Sequence, residues 1–109
     1  AEAMACGVPC AITDSGGIRL FARHGVNALI SPPGDAAALA EHIVKLVEDE
    51  ATRNRLAAAC RDSVAWMDRM ASARATETLF RDLLLGRSPA PAYGYPPGVL
   101  KEVQSRDAE

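Results

Sequence analysis

Two short apolar runs, Val8–Thr13 and Ala28–Ser31, are the features that most constrain the fold of this chain. Neither run alternates polar with apolar residues, which is the pattern of strands buried on both faces of a parallel sheet. Pro9 must then lie at the start of the first strand, where a missing N–H costs least. Parallel strands need neighbouring strands and helices on both faces. We therefore expect an α/β fold with a parallel sheet, in which this chain is the end of a domain and not a whole one.

The segments around the first strand are predicted to be short helical pieces joined by glycine-containing turns. Residues 2–6 have the composition of the last turns of a helix, and Gly7 is placed as its left-handed C-terminal cap. Asp14–Gly17 is a loop by composition. Ile18–Arg23 is predicted to form a short helix before the second strand.

Long helices are predicted after the second strand. Asp35 follows a Pro-Pro-Gly turn and is well placed to cap the first of them. The apolar stripe of this helix consists of Leu39, Ile43, Leu46 and Val47. A second helix is predicted to begin within residues 49–52, with Leu56, Cys60 and Val64 in line along one face.

The third predicted helix runs from Trp66 onwards. Its apolar face would comprise Met70, Ala73, Phe80 and Leu84. Glu77 and Arg81 are four residues apart, in the favourable order for an ion pair on a helix. From Gly86 the chain is rich in proline and glycine, including the stretch SPAPAYGYPPG, so residues 86–109 are predicted to be a flexible tail.

The composition bounds the class of protein. The chain has 109 residues, of which 49% are hydrophobic and 24% charged, the balance of a globular protein. Its net charge is -2 with acids and bases intermingled, so we expect no nucleic-acid partner. No apolar run approaches the ~20 residues of a membrane span, whereas peripheral membrane association stays open. Three cysteines without a disulfide pattern favour a reducing cytoplasmic location.

Metal chemistry is not predicted. Cys6 and Cys10 flank Gly-Val-Pro, and neither His24 nor His42 has a metal-binding partner at a recognisable spacing. His24 precedes a glycine and is interpreted as a turn residue, and His42 as a residue on a helix face. The cysteines are interpreted as small buried hydrophobic residues. The sequence thus predicts no metal site and no cofactor.

Four motifs occur in order along the chain. They are E-A-M-A-C-G-V-P, T-D-S-G-G-I-R, H-G-V-N-A-L-I-S-P-P-G-D and a long helix rich in Leu, Ala and Arg. With these motifs the segment from Ala1 to about Leu84 resembles the C-terminal end of retaining, nucleotide-sugar-dependent glycosyltransferases of the GT-B fold, the glycosyltransferases group 1 family. The resemblance implies that residues 1–85 are the C-terminal part of a donor-binding, Rossmann-like half-domain with long helices, followed by the tail at 86–109.

Glu2 is the leading candidate for a donor-binding residue. The family carries two glutamates separated by seven residues, the second followed by A-M-A, and Glu2 matches that second glutamate. In the family this residue accepts hydrogen bonds from the ribose hydroxyls of the nucleotide. A carboxylate suits the task because its two oxygens can accept from both vicinal hydroxyls. Without the motif, the alternative interpretation is a solvated carboxylate near a helix end.

Gly16 and Gly17 are lesser candidates for donor binding. Glycines after a parallel strand can bring backbone amides close to a phosphate, and they can equally form only a tight turn. We favour the turn because the loop lacks a full phosphate-binding pattern. The sequence departs from the family at two positions: Leu20 stands where the family usually has glutamate, and Ala28 where it usually has glycine. The first departure bears on any role that needs a carboxylate after the glycine pair.

Trp66 matches only the last residue of the family's F-S-W motif, because Val64 and Ala65 precede it. Packing within a helix is therefore the preferred interpretation of Trp66. In GT-B enzymes the final helix commonly crosses back to the N-terminal half. The stretch Met70–Leu84 would take this role, which would explain apolar residues without an obvious local partner.

The leading functional hypothesis is a fragment of a glycosyltransferase, of the hexosyltransferase type, that moves a sugar from a nucleotide-sugar donor to an unknown acceptor hydroxyl with retention. The first glutamate, the diphosphate-binding groups and an acceptor-binding N-terminal domain would lie before Ala1. The fragment by itself is therefore expected to be inactive, and we assign it no catalytic residue. The alternatives are a non-enzymatic helical interaction module over residues 35–85, and a pseudoenzyme that binds nucleotide without transferring sugar, prompted by Leu20.

Overall fold

The two predicted strands pair in parallel. In the computed structural model, which describes residues 1–88, β1 (Cys10–Thr13) lies beside β2 (Ala28–Ser31). Cys10 is opposite Ala28, and Thr13 is opposite Ser31. The α/β class, the parallel pairing and the bounds of the second strand are confirmed. The predicted tail lies largely outside the described residues, so its boundary at residue 86 stays a prediction.

The described residues divide into two compact units, Ala1–Ala65 and a second unit that begins at Trp66. The first unit contains, in order, α1 (Glu2–Ala5), β1, a 3-10 helix (Gly16–Leu20), β2, α2 (Ala36–Glu48) and α3 (Glu50–Val64). The second unit contains the end of a 3-10 turn (Ala65–Met67) and α4 (Arg69–Leu84). Among residues 1–88, no helix is both long enough and apolar enough to span a bilayer.

The end of α1 follows the prediction. Gly7 adopts a φ of 75° and its N–H donates to the Met4 carbonyl at 2.8 Å, while the Val8 N–H donates to the Ala3 carbonyl at 2.9 Å. These two bonds form a Schellman motif, in which the left-handed residue closes the helix. They also explain why β1 begins at Cys10 and not at Val8. The Val8 amide is already used by the cap, and Pro9 has no N–H to give to a neighbouring strand.

The prediction of a short helix over Ile18–Arg23 is wrong. The helical segment is instead a 3-10 helix over Gly16–Leu20. Its chain cannot continue as a helix because the Arg23 N–H donates to Asn27 Oδ1 at 2.7 Å. This side chain takes the amide that a longer helix would bond to a carbonyl of its preceding turn.

Helix α2 begins as predicted but buries a different face. The Asp35 carboxylate accepts the Ala38 N–H at 2.9 Å and caps the helix. Of the predicted stripe, Leu39 and Leu46 are half-buried, whereas Ile43 and Val47 are 50% and 70% exposed. The half-buried face instead includes His42, whose Nδ1 lies 2.9 Å from the buried Ser31 Oγ of β2. This contact with the sheet turns Ile43 and Val47 towards solvent.

Helix α3 provides the centre of the first unit. Asp49 caps it by accepting the Thr52 N–H at 2.9 Å. Its predicted apolar face is confirmed, because Leu56, Cys60 and Val64 are all buried. Helix α3 packs against α1 and α2. The buried hydrophobic residues of the described chain are Met4, Ala22, Ala28, Leu29, Leu56, Cys60 and Val64.

The second unit, described by itself, is a capped helix. The predicted continuous helix from Trp66 is interrupted at Asp68, whose carboxylate accepts the Ala71 N–H and caps α4. Helix α4 ends in a second Schellman motif at Gly86. The predicted ion pair is confirmed, with Arg81 Nη2 2.7 Å from Glu77 Oε1. The apolar side chains of α4 are largely exposed, namely Met70, Phe80, Leu83 and Leu84.

Candidate functional site

Glu2 is the first residue of α1, and its side chain is fully exposed. Its carboxylate lies 3.7 Å from the amino group of Ala1. A hydrogen bond with its own backbone lowers the pKa of Glu2, and the positive charge of that amino group lowers it further. The side chain is therefore an ionised acceptor at neutral pH, with both oxygens open to solvent.

The short helix that carries Glu2 is anchored by its packing against α3. Met4 is buried to 1% exposure, and α1 packs on α3. Arg61 of α3 lies against the turn that follows, since a Cβ added to Gly7 would stand 3.2 Å from Arg61 Nε. Buried Met4 and the packing of α1 on α3 fix the position of this helix, while the Glu2 side chain itself is fully exposed.

Gly16 and Gly17 occupy a different element. They follow the carboxyl end of β1, whereas α1 leads into its amino end. Gly16, the first residue of the 3-10 helix, has a φ of 52°, which a side chain would disfavour, and Gly17 is the second residue of that helix. Both glycines are exposed. The geometry is that of a tight turn, and the backbone of both residues is open to solvent.

The glycine turn is framed by an ion pair. Arg19 Nε lies 2.7 Å from both carboxylate oxygens of Asp14, and Arg19 Nη2 makes a further contact with the same carboxylate. The hydrogen bond with Asp14 raises the pKa of Arg19, so the guanidinium stays charged. The acid beside the turn is thereby neutralised, which lowers its repulsion of an anion.

The two departures from the resembled family have structural consequences. Leu20 ends the 3-10 helix, and its Cδ1 stands 3.6 Å from the position of a Cβ on Gly17. The Leu20 side chain therefore lies beside Gly17, at the position where the resemblance leads us to expect a carboxylate, and it leaves the glycine turn exposed. Ala28 is fully buried opposite Cys10, so its methyl group contributes to the core beneath β2.

Asn27 is a positioning residue that sequence reasoning did not single out, although it lies within the H-G-V-N motif. Its side chain is buried, accepts the Arg23 N–H at 2.7 Å, and donates to the Phe21 carbonyl at 2.8 Å and to Ser63 Oγ at 2.5 Å. These bonds join the loop between the 3-10 helix and β2 to α3. The available signal was an asparagine in a turn directly before a buried strand.

The three cysteines differ in their environments. Cys60 is buried, and burial raises the pKa of its thiol, as it does for half-buried Cys10. The interpretation as buried hydrophobic residues holds for Cys60 and is wrong for Cys6, which is exposed. Cys6 is exposed because it is the C-cap of α1, at the outer end of a short helix.

Comparisons with known proteins find matches over part of this chain. The family model for glycosyl transferases group 1 matches residues 1–63. The chain is 38% identical to N-acetyl-alpha-D-glucosaminyl L-malate synthase from Bacillus anthracis over 63 residues. This stretch makes up 58% of this chain and 16% of that protein. The chain thus spans a small part of the relative's length. No solved structure matches the chain significantly. The matched segment contains Glu2, the glycine turn and Asn27, and the chain belongs to the glycosyl transferases group 1 family.

Proposed function

We propose that the chain is the C-terminal, donor-binding end of a retaining GT-B glycosyltransferase that uses a nucleotide-sugar. The family match over residues 1–63 supports this assignment, together with the α/β architecture. The complete enzyme would transfer a hexose-type sugar to an acceptor hydroxyl. We place it in the cytoplasm, in keeping with its unpaired cysteines.

In this proposal Glu2 accepts hydrogen bonds from the two ribose hydroxyls of the donor. The observation that carries the assignment is the fully exposed Glu2 carboxylate at the start of a helix that buried Met4 holds in place. Two anionic oxygens match a vicinal diol, since each oxygen can accept from one hydroxyl.

Gly16 and Gly17 would serve chiefly as a turn that lets the donor approach the carboxyl end of β1. Ligands of open α/β sheets bind outside the carboxyl ends of the strands, which is where this turn lies. The Arg19–Asp14 pair next to it reduces the negative charge that a diphosphate would meet. No catalytic residue is assigned within the chain, and no metal or cofactor enters the proposal.

The remaining catalytic groups would come from the part of the enzyme that precedes this segment. These are the first glutamate of the pair, the groups that bind the diphosphate and the acceptor-binding domain. The exposed apolar residues of α4, such as Phe80 and Leu84, would then cover the N-terminal half. The 109-residue chain assayed by itself is expected to transfer no sugar, because it lacks the groups that stabilise the leaving diphosphate.

The test is donor affinity in the complete transferase. A panel of nucleotide-sugars should include nucleotide-activated N-acetylglucosamine, with hydroxy acids such as L-malate among the acceptors, because the relative's name contains both. Glu2→Ala is expected to weaken binding of the best donor by about tenfold or more, from the loss of a charged hydrogen-bonding group. Glu41→Gln, an exposed glutamate on α2, is the matched control and should leave the affinity unchanged. Unchanged donor affinity in Glu2→Ala would show that the ribose assignment is wrong.

A second candidate is a helical interaction module, favoured by the exposed apolar residues on α2 and α4. A related possibility is a pseudoenzyme that binds nucleotide without transferring sugar, prompted by Leu20 in place of the family's usual glutamate. Two results separate these candidates from the leading proposal. A module would bind no nucleotide at all, and a pseudoenzyme would bind nucleotide while the complete protein transferred no sugar. Restoring the carboxylate with Leu20→Glu would raise transfer only in an impaired enzyme.

A further inference from the structure

The outer edge of β2, which faces away from β1, carries the backbone groups with which another strand would pair. The Asp14 N–H at the end of β1 donates to the Ser31 carbonyl at 2.8 Å, so the backbone groups of Ser31 point towards β1. Because these groups alternate in direction along a strand, those of Ala28 and Ile30 point away from β1. Pro32, just past the strand, is the next residue in the same series.

Turns on either side of β2 occupy the two ends of this edge. The Gly25 N–H donates to the Ala28 carbonyl at 2.8 Å, next to an isolated parallel bridge between the turn and the strand. Pro32 has no N–H, and its carbonyl accepts the Asp35 N–H at 3.2 Å. Ile30, in the middle of the edge, takes its partner from a side chain.

The imidazole of His24 covers both backbone groups of Ile30. Its Nδ1 lies 3.0 Å from the Ile30 amide nitrogen and 3.1 Å from the Ile30 carbonyl oxygen. The amide N–H donates to Nδ1, which places the proton of the neutral ring on Nε2. The His42 ring flanks that of His24, with the ring centroids 5.3 Å apart. An exposed side chain thus occupies the stretch of the β2 edge that the turns leave open.

The outer edge of β1 is different. By the same alternation, the backbone groups of Ala11 and Thr13 point away from β2. Within residues 1–88, these outward groups make no hydrogen bond with the protein. An edge with unpaired N–H and carbonyl groups is a template for pairing with another strand. The two edges of the sheet are therefore unequal, because one is closed and the other is open.

We propose that His24 is an edge-closing residue, which seals β2 as the last strand of the sheet and directs strand addition to β1. The strand that joins β1 is a parallel one from the part of the enzyme that precedes this segment, a point that rests on the function proposed above. Parallel pairing fits because β1 and β2 are parallel and neither alternates polar with apolar residues. Without His24, the backbone groups of Ile30 would be open to water and to the edge strands of other molecules.

The test is amide hydrogen exchange in the complete transferase, resolved to single residues by mass spectrometry. His24→Leu removes the acceptor, so the Ile30 amide should exchange about threefold to tenfold faster. His24→Asn is the matched control, because the amide oxygen of asparagine can stand where Nδ1 stood. Exchange at Ile30 should be unchanged in this variant. The Asp14 amide, which is bonded to β2, is the internal reference and should stay protected in both variants.

The amides of Ala11 and Thr13 test the other edge, and in the complete transferase both should be as strongly protected as that of Asp14. The proposal is overturned if His24→Leu leaves exchange at Ile30 unchanged, or if Ala11 and Thr13 exchange at the rates of an unstructured peptide. If His24→Leu also loses protection at Asp14, His24→Ala takes its place and decides the question. Exchange is measured without donor, so a protein that binds no nucleotide would refute the function proposed above and leave this test intact.

Discussion

Replacement of Asn27 by alanine tests whether its hydrogen bonds hold the loop between the 3-10 helix and β2 against α3. The asparagine side chain is buried and makes three hydrogen bonds, with Arg23, Phe21 and Ser63. Alanine removes all three bonds at once. The Arg23 amide then loses its acceptor, and the loop between the 3-10 helix and β2 loses the hydrogen bonds that Asn27 makes within it.

The expected cost follows from the bonds. Each contributes about 0.5–1.5 kcal/mol net, and a buried group left without a partner costs somewhat more. Phe21 is half-buried and Arg23 is exposed, so water can partly replace the lost side chain at those two groups. The sum is about 2–4 kcal/mol for Asn27→Ala. For a domain of this size, that corresponds to a fall in the unfolding midpoint of roughly 10–20 °C.

The assay is chemical and thermal unfolding followed by circular dichroism. Asn54→Ala, at an exposed asparagine of α3, is the matched control and should change the free energy of unfolding by less than about 0.5 kcal/mol. Ser63→Ala should cost about 1 kcal/mol, and the double variant Asn27→Ala/Ser63→Ala should cost less than the sum, because the two residues share a bond. A loss for Asn27→Ala no larger than that of Asn54→Ala would refute this account of the loop.

Three further predictions concern stability. Gly7→Ala should lower the free energy of unfolding by about 1–2 kcal/mol in a denaturation assay, because the φ of Gly7 is 75°. Gly17→Ala is the control and should have little effect, because Gly17 has an ordinary φ and no close contact. Equal losses would contradict the role of the Schellman turn. Leu56→Ala should cost about 3 kcal/mol, since the side chain is fully buried, and a loss below about 1 kcal/mol would place it outside the core. Hydrogen bonds from Thr52 lower the pKa of Asp49, so its stabilising effect is present above the unfolded pKa and is lost as the pH falls below about 4. Unfolding measured against pH should show a shallower acid slope in Asp49→Asn, and identical slopes would contradict the prediction.

Features that depend on neighbouring residues could be predicted from the sequence. The Schellman turn at Gly7 and the cap at Asp35 each require a particular residue at a particular place, and both are present. The buried face of α3 was also predictable, because Leu56, Cys60 and Val64 recur every four residues and no competing apolar face exists on that helix.

Features that depend on distant contacts could not be predicted. Helix α2 has apolar residues on two overlapping faces, and periodicity cannot choose between them. The contact between His42 and Ser31 decides in favour of one face and leaves Val47 exposed. The short helix before β2 is likewise set by Asn27, whose side chain competes with the helix for the Arg23 amide.

For the candidate site, the sequence identified Glu2, and the structure shows the environment of its side chain. Glu2 was chosen through the A-M-A motif that follows it, and the structure adds an exposed carboxylate on an anchored helix. The contact between the His24 and His42 rings could not be predicted from their spacing along the chain. The two residues come together only when the chain folds through β2 and the turn that follows it.

The central claim is that Glu2 binds the ribose of the donor. The most direct measurement is a cycle of four dissociation constants in the complete transferase, for wild type and Glu2→Ala, each with the best-binding nucleoside diphosphate and with its 2′,3′-dideoxy analogue. Removal of the two hydroxyls is expected to weaken binding to the wild type by about tenfold or more, and to change binding to Glu2→Ala by less than about twofold. An equal loss of affinity in both proteins would contradict the claim.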